Sequence, residues 1–83
     1  MPSKYLSRKK KDMKITNHAL LRMRQRGIDE NSVASAISNP DEIIDSFGNR
    51  KLARKTIGDK TIEVVFIKED DITVITVYWL EET

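Results

Sequence analysis

The stretch Ile72-Thr73-Val74-Ile75-Thr76-Val77-Tyr78-Trp79-Leu80 constrains this chain more than any other. β-Branched and aromatic residues fill both alternating faces. Ile72, Val74, Thr76, Tyr78 and Leu80 fall on one face, and Thr73, Ile75, Val77 and Trp79 on the other. A strand that is apolar on both sides is one that is covered on both sides. As the last strand of a plain meander it would instead be a long apolar edge, open to aggregation. Its cover is therefore expected from the Met13–Ile15 segment, from a helix, or from a partner chain, which would make a homodimer through this strand. Trp79 is expected in the core or at an interface rather than stacked on a base.

Three further strands lead up to it. Glu42–Phe47 runs to Gly48-Asn49, Arg50–Ile57 to Gly58-Asp59, and Thr61–Lys68 to Glu69-Asp70-Asp71. Gly-Asn and Gly-Asp suit two-residue hairpin loops, because glycine supplies the positive φ of the primed turns. With Gly58-Asp59 as the loop, Arg54 faces Glu63 across the ladder, which makes Arg54 a cross-strand ion-pair partner.

Two helices precede the strands. Thr16 is a good N-cap, since its hydroxyl accepts an amide hydrogen bond from the first turn. The helix Asn17–Arg26 then stops at Gly27, which takes the left-handed cap conformation without steric cost. Asp29 caps the next helix, with Ile28 and Val33 placed as a hydrophobic staple. In Glu30–Ser38, Val33, Ala36 and Ile37 share one face. Asn39-Pro40 ends it, because proline disfavours helix at the residue before it. The expected fold is α+β: two N-terminal helices followed by a four-stranded antiparallel sheet. Met13 and Ile15 alternate with polar neighbours and also allow a short strand.

A chain of 83 residues is one domain. That domain is expected over 13–83, preceded by a basic flexible arm over 1–12 that lacks apolar periodicity. The absence of cysteine suits a reducing cytoplasm and leaves no disulfide framework. A single histidine without cysteine would leave a zinc site to carboxylates, so no metal or other cofactor is expected. No apolar run reaches the length of a membrane helix, and the first residues lack the apolar core of a signal peptide.

Charge is unevenly placed. Residues 1–26 hold nine basic side chains and one acid, a net of +8, while residues 27–83 hold six basic and twelve acidic, a net of −6. The asymmetry points to a polyanionic partner, with RNA or DNA foremost. The run Arg8, Lys9, Lys10 and Lys11 either contacts that partner, with Lys14, or is a solvated arm folding back on Asp70, Asp71, Glu81 and Glu82.

On a helical wheel starting at His18, Arg22 and Arg26 fall at about 40° and 80°, and Ala19, Met23 and Leu20 at about 100° to 200°. One sector is an imidazole and two guanidinia, and the adjacent sector is apolar and docks on the sheet. His18, Arg22 and Arg26 then border the helix–sheet junction, where a cleft can form. Arginine presents a fork of donors to phosphate and stabilises charge building on a transition state. Histidine is the side chain that takes or gives a proton near neutrality. RNA brings its own nucleophile, the 2′-hydroxyl, so its cleavage needs only a base, an acid and a cationic clamp. With one histidine, the second proton-transfer group would be Tyr78, Lys55 or a water. The plainer reading is an exposed histidine beside solubilising arginines. Lys55 either extends the basic surface or is simply solvated. Thr76 either satisfies its hydroxyl locally or points into a polar site.

The residues Ile15-Thr16-Asn17-His18-Ala19, Arg22-Met23-Arg24-Gln25-Arg26-Gly27-Ile28 and Val74-Ile75-Thr76-Val77-Tyr78 resemble the DUF4258 family, with its His-Ala-x-x-Arg-Met-x-x-Arg-Gly-Ile helix and terminal Val-Ile-Thr-Val-Tyr strand. The resemblance covers about residues 13–80. That family in turn resembles the RelE/ParE-like toxins of the barnase–colicin–RelE ribonuclease fold. The resemblance implies a metal-independent endoribonuclease toxin with a protein antitoxin. It also implies a site of His18, Arg22 and Arg26 from the helix and Thr76, with Tyr78, from the last strand. Fold alone does not settle activity. Two alternatives therefore stand beside it: a nucleic-acid-binding module without catalysis, and a ParE-like inhibitor that acts on a protein.

Overall fold

The computed structural model describes residues 13–81. Its elements are β1 (Met13–Ile15), α1 (Asn17–Arg26), α2 (Glu30–Ser38), β2 (Glu42–Asp45), β3 (Arg50–Ile57), β4 (Lys60–Lys68) and β5 (Ile72–Trp79). The arm expected over 1–12, with Lys9, Lys10 and Lys11, lies outside the described residues. The sheet has five strands in the order β1-β5-β4-β3-β2, not four. It is mixed rather than antiparallel, because β1 pairs parallel to β5 from Met13 opposite Ile72 to Ile15 opposite Val74. Three residues suffice to add that strand, since they fill the ladder positions that the apolar edge of β5 would leave bare. Of the covers expected for β5, the Met13–Ile15 segment lies along its edge at Ile72–Val74, and a helix, α1, lies on one of its faces.

The local signals for the helices act as expected. Thr16 Oγ1 accepts from Ala19 N at 3.1 Å, and Gly27 closes α1 at φ 67° with its N–H on Met23 O. Asp29 Oδ1 accepts from Ser32 N at 2.8 Å, and the Ser32 side chain first and this amide second hold the Asp29 carboxyl below its ordinary pKa. Ile28 and Val33 are both buried, as a staple requires. Both helices lie on one side of the sheet, α1 along β5 and α2 over β3 and β4. Ala19 and Met23 of α1 and Val33 and Ala36 of α2 meet Ala53, Ile62, Val64, Phe66, Val74, Val77 and Trp79 in one core. Leu20, placed by the wheel in the docking sector of α1, is 38% exposed. It lies at the far margin of that sector, and a helix seated on one strand buries a narrower stripe.

The chief departure from the expected pattern is inside β5. Phe66 opposes Val74 and Val65 opposes Thr76, so Ile75 is an extra residue without a partner. This bulge reverses the alternation beyond it. Val74, Val77 and Trp79 all enter the core, and Thr76 and Tyr78 turn to the face without helices. Strict alternation had set Val74 on the face of Thr76 and Tyr78. Because both faces are apolar, hydrophobic pattern alone cannot reveal the slip.

Thr16 ties this bulge to α1. Its amide donates to Val74 O at 3.1 Å, and its hydroxyl donates to Ile75 O at 3.0 Å. Replacing Thr16 by valine keeps the shape and removes both hydroxyl bonds. The expected loss is about 1–2 kcal/mol in urea unfolding, with Thr16→Ser near wild type. Equal stability of the valine variant would show that the hydroxyl is not what holds α1 to β5.

Candidate functional site

α1 runs beside β5 beyond the end of β1, so one side of the helix looks past the sheet edge toward the face without helices. There His18, Arg22 and Arg26 from α1 and Thr76 and Tyr78 from β5 line a single cleft of about 360 Å³. These are the five residues named from the sequence as a catalytic set, and the structure brings all five together. His18 and Arg26 are exposed, while Arg22, Thr76 and Tyr78 are half-buried. Arg26 also serves the helix: with Arg24, which lies outside the cleft, it sits in the last turn, where cations oppose the negative end of the dipole.

The nucleic-acid candidates lie elsewhere. Lys55 donates to Asn39 O at 2.9 Å and so satisfies the C-cap carbonyl of α2, away from the cleft. Lys14 faces Asp71 at 3.5 Å on an exposed surface. Trp79 is buried, donates its indole N–H to Arg26 O at 3.0 Å and has Lys60 over its ring at 5.4 Å. It anchors the end of α1 to the sheet and is not a stacking platform. A larger groove, about 920 Å³, borders α2 over Phe66, Ile72 and Ile43. It contains none of the five cleft residues.

The structure adds one residue that sequence reasoning placed but did not connect. Across four strands the registers align Glu42, Arg54, Glu63 and Tyr78 in a row on the face without helices. Glu63 is 2% exposed. Its Oε1 accepts from Arg54 Nε at 2.7 Å, as the hairpin register predicts, and its Oε2 accepts from the Tyr78 hydroxyl. Arg54 Nη1 also lies 3.7 Å from Glu42 Oε1. The bond to Glu63 raises the Arg54 pKa. The Tyr78 phenol is pushed up to about 12, first by burial and then by the Glu63 carboxylate. Tyr78 is thus a neutral phenol at physiological pH, and its proton already belongs to a hydrogen bond. Plain counting from the Glu69–Asp71 turn would set Glu63 against Val77, and only the bulge brings Tyr78 opposite.

Among the described residues no three His, Asp or Glu side chains come together as metal ligands. No helix among them is long and apolar enough to cross a membrane. The chain belongs to a family described as a domain of unknown function (DUF4258), whose model matches residues 15–79. No curated protein and no solved structure matches it.

The raised phenol has a consequence for stability. The folded state holds the Tyr78 proton more tightly than the unfolded chain, so this contribution is complete below the ordinary tyrosine value of 10.0 and is lost as pH rises through about 12. Urea midpoints measured across that window should fall in the wild type by a step that Tyr78→Phe lacks. In a Tyr5→Phe background, phenolate absorbance should report the Tyr78 midpoint near 12. A midpoint near 10 would mean that the hydroxyl is not held by Glu63.

Proposed function

We propose that this chain is a small RelE-like endoribonuclease that cleaves RNA by 2′-hydroxyl attack without a metal ion, acting as the toxin of a toxin–antitoxin pair. The observation that carries this reading is the shared cleft of His18, Arg22, Arg26, Thr76 and Tyr78. The two helices ahead of the sheet and the antiparallel run from β2 to β5 fit a RelE/ParE-like plan, to which the parallel β1 is an addition.

In this reading the strand lies along α1 with its scissile phosphate between the guanidinia of Arg22 and Arg26. Their donors match the non-bridging oxygens and the charge that builds on them. His18 takes the proton of the attacking 2′-hydroxyl, the oxygen bonds to phosphorus, and the bond from phosphorus to the 5′-oxygen breaks. That oxygen leaves as a hydroxyl with a proton from water or from the imidazolium, and a 2′,3′-cyclic phosphate remains. Thr76 orients a phosphate oxygen or His18. Tyr78 is a fixed wall of the cleft and not the second proton carrier, because its proton is engaged by Glu63.

One observation favours a second reading. With the Tyr78 proton committed and Lys55 held on α2, His18 is the single candidate left for proton transfer. A nucleic-acid-binding module, or a ParE-like inhibitor acting through a protein, would need no second one.

Purified protein in excess EDTA, incubated with a mixed RNA pool, separates these readings. The ribonuclease should leave 2′,3′-cyclic ends. His18→Ala should slow cleavage by about 100-fold or more, and Arg22→Ala and Arg26→Ala by about 10- to 100-fold each. An intact RNA pool with salt-sensitive binding, weakened by the arginine changes but not by His18→Ala, would instead establish the binding module. An intact pool without binding would leave the protein inhibitor.

A further inference from the structure

The cleft is lined by an imidazole, two guanidinia, a threonine hydroxyl and a tyrosine, and behind the tyrosine lies a buried carboxylate that no step above uses. A carboxylate paired with arginine offers only acceptor sites, and guanidinium offers only donors. Arg54 holds Glu63 Oε1 at 2.7 Å, so Oε2 is the end left for Tyr78. The Tyr78 hydroxyl therefore donates to it. A phenol has one proton. With that proton turned to Glu63, the oxygen can offer only a lone pair to anything else that approaches.

We propose that Glu63, by holding the Tyr78 proton, makes Tyr78 a hydrogen-bond acceptor on the cleft wall that receives a ribose 2′-hydroxyl, so that the site selects RNA over DNA. The inference rests on the reading of the cleft as a nucleic-acid site. A phosphate oxygen only accepts, so it has no bond to make with Tyr78 and is left to Arg22 and Arg26. The donor that always lies next to a backbone phosphate in RNA, and never in DNA, is the 2′-hydroxyl. The hydroxyl meant is one of the bound strand other than the attacking one, whose proton goes to His18. Glu63 does not touch the strand. It is a positioning residue that acts through Tyr78.

The test compares short single strands of oligouridine, oligodeoxyuridine and 2′-O-methyl oligouridine by fluorescence anisotropy. All are measured on the His18→Ala chain, so that the RNA stays intact. Only the first strand carries the 2′ donor, and all three carry the same base. RNA should bind about five- to ten-fold more tightly than the other two, the size of one hydrogen bond. Adding Tyr78→Phe should weaken RNA alone and close the gap. Adding Glu63→Gln should close the gap between RNA and its 2′-O-methyl form, although the hydroxyl remains, because a donating phenol meets an acceptor oxygen in both. The glutamine amide keeps an oxygen for Arg54 and turns an N–H on the phenol oxygen, which reverses the Tyr78 proton.

Equal affinity for all three strands overturns the inference and leaves the proposed function standing. So does an equal loss for every strand in Tyr78→Phe. An undiminished preference for RNA over its 2′-O-methyl form in Glu63→Gln overturns the role of Glu63. Absence of binding to any strand overturns the proposed function and the inference together. Thermal unfolding accompanies each variant. Should Glu63→Gln fail to fold, Tyr78→Phe decides the outcome, because its ring still fills the same space.

Discussion

The structure turns on one unpaired residue, Ile75. Without it β5 would keep a single parity from end to end, and the residues that close the core at Val74 could not also close it at Val77 and Trp79. With it, the strand presents a continuous apolar row to the helices and still turns Thr76 and Tyr78 to the other face. A bulge is tolerable only where its loose backbone groups find partners. Thr16 supplies one, accepting the first-turn amide of α1 and donating to the Ile75 carbonyl through the same hydroxyl. Helix start, bulge and strand edge are thus one construction. It sets α1 beside β5 with its row of His18, Arg22 and Arg26 toward Thr76 and Tyr78.

Much of this was legible in the sequence because the signals are local. Thr16, Gly27, Asp29 and Asn39 mark the helix ends through caps that involve a few consecutive residues, and Gly58-Asp59 fixes a register that places Arg54 opposite Glu63. The row of His18, Arg22 and Arg26 follows from helix geometry alone. The failures are non-local. Met13–Ile15 was allowed as a short strand and as a cover for the last one, but its place as a fifth, parallel strand depends on the edge that β5, nearly sixty residues later, offers it. The bulge is hidden because Ile75 and its neighbours are apolar on both faces, so a slip of one residue leaves the pattern unchanged. Glu63 was seen only as half of an ion pair, because its second partner appears only once the bulge is counted. Trp79 was expected in the core or at an interface, and it lies in the core.

The two kinds of basic residue in this chain now separate. Lys51 pairs with Asp45 at 2.7 Å, Lys14 with Asp71, and Lys55 reaches the end of α2. Such contacts at the surface are worth little singly, but they give these lysines local structural roles. Arg22 and Arg26 differ by position rather than by charge. They stand on a helix face that meets the strand carrying Thr76 and Tyr78, and only there does a cation border a concave surface together with the chain's one histidine.

In the proposed reading, a bare carboxylate behind that basic cleft would be self-defeating, since it would weaken the attraction of the cleft for a polyanion. Arg54 removes the difficulty by neutralising it at 2.7 Å, so the pair adds almost no net charge to the site. What remains of Glu63 is direction: an acceptor of fixed position whose only further outlet is the Tyr78 proton. Buried ion pairs contribute little to stability beyond what apolar residues of the same shape would, because desolvation offsets the attraction. Leucines at positions 54 and 63 would occupy similar space on this face of the sheet. They could not orient a phenol. The arrangement of Arg54, Glu63 and Tyr78 therefore makes better sense as a device for setting hydrogen-bond polarity at the cleft than as a prop for the fold.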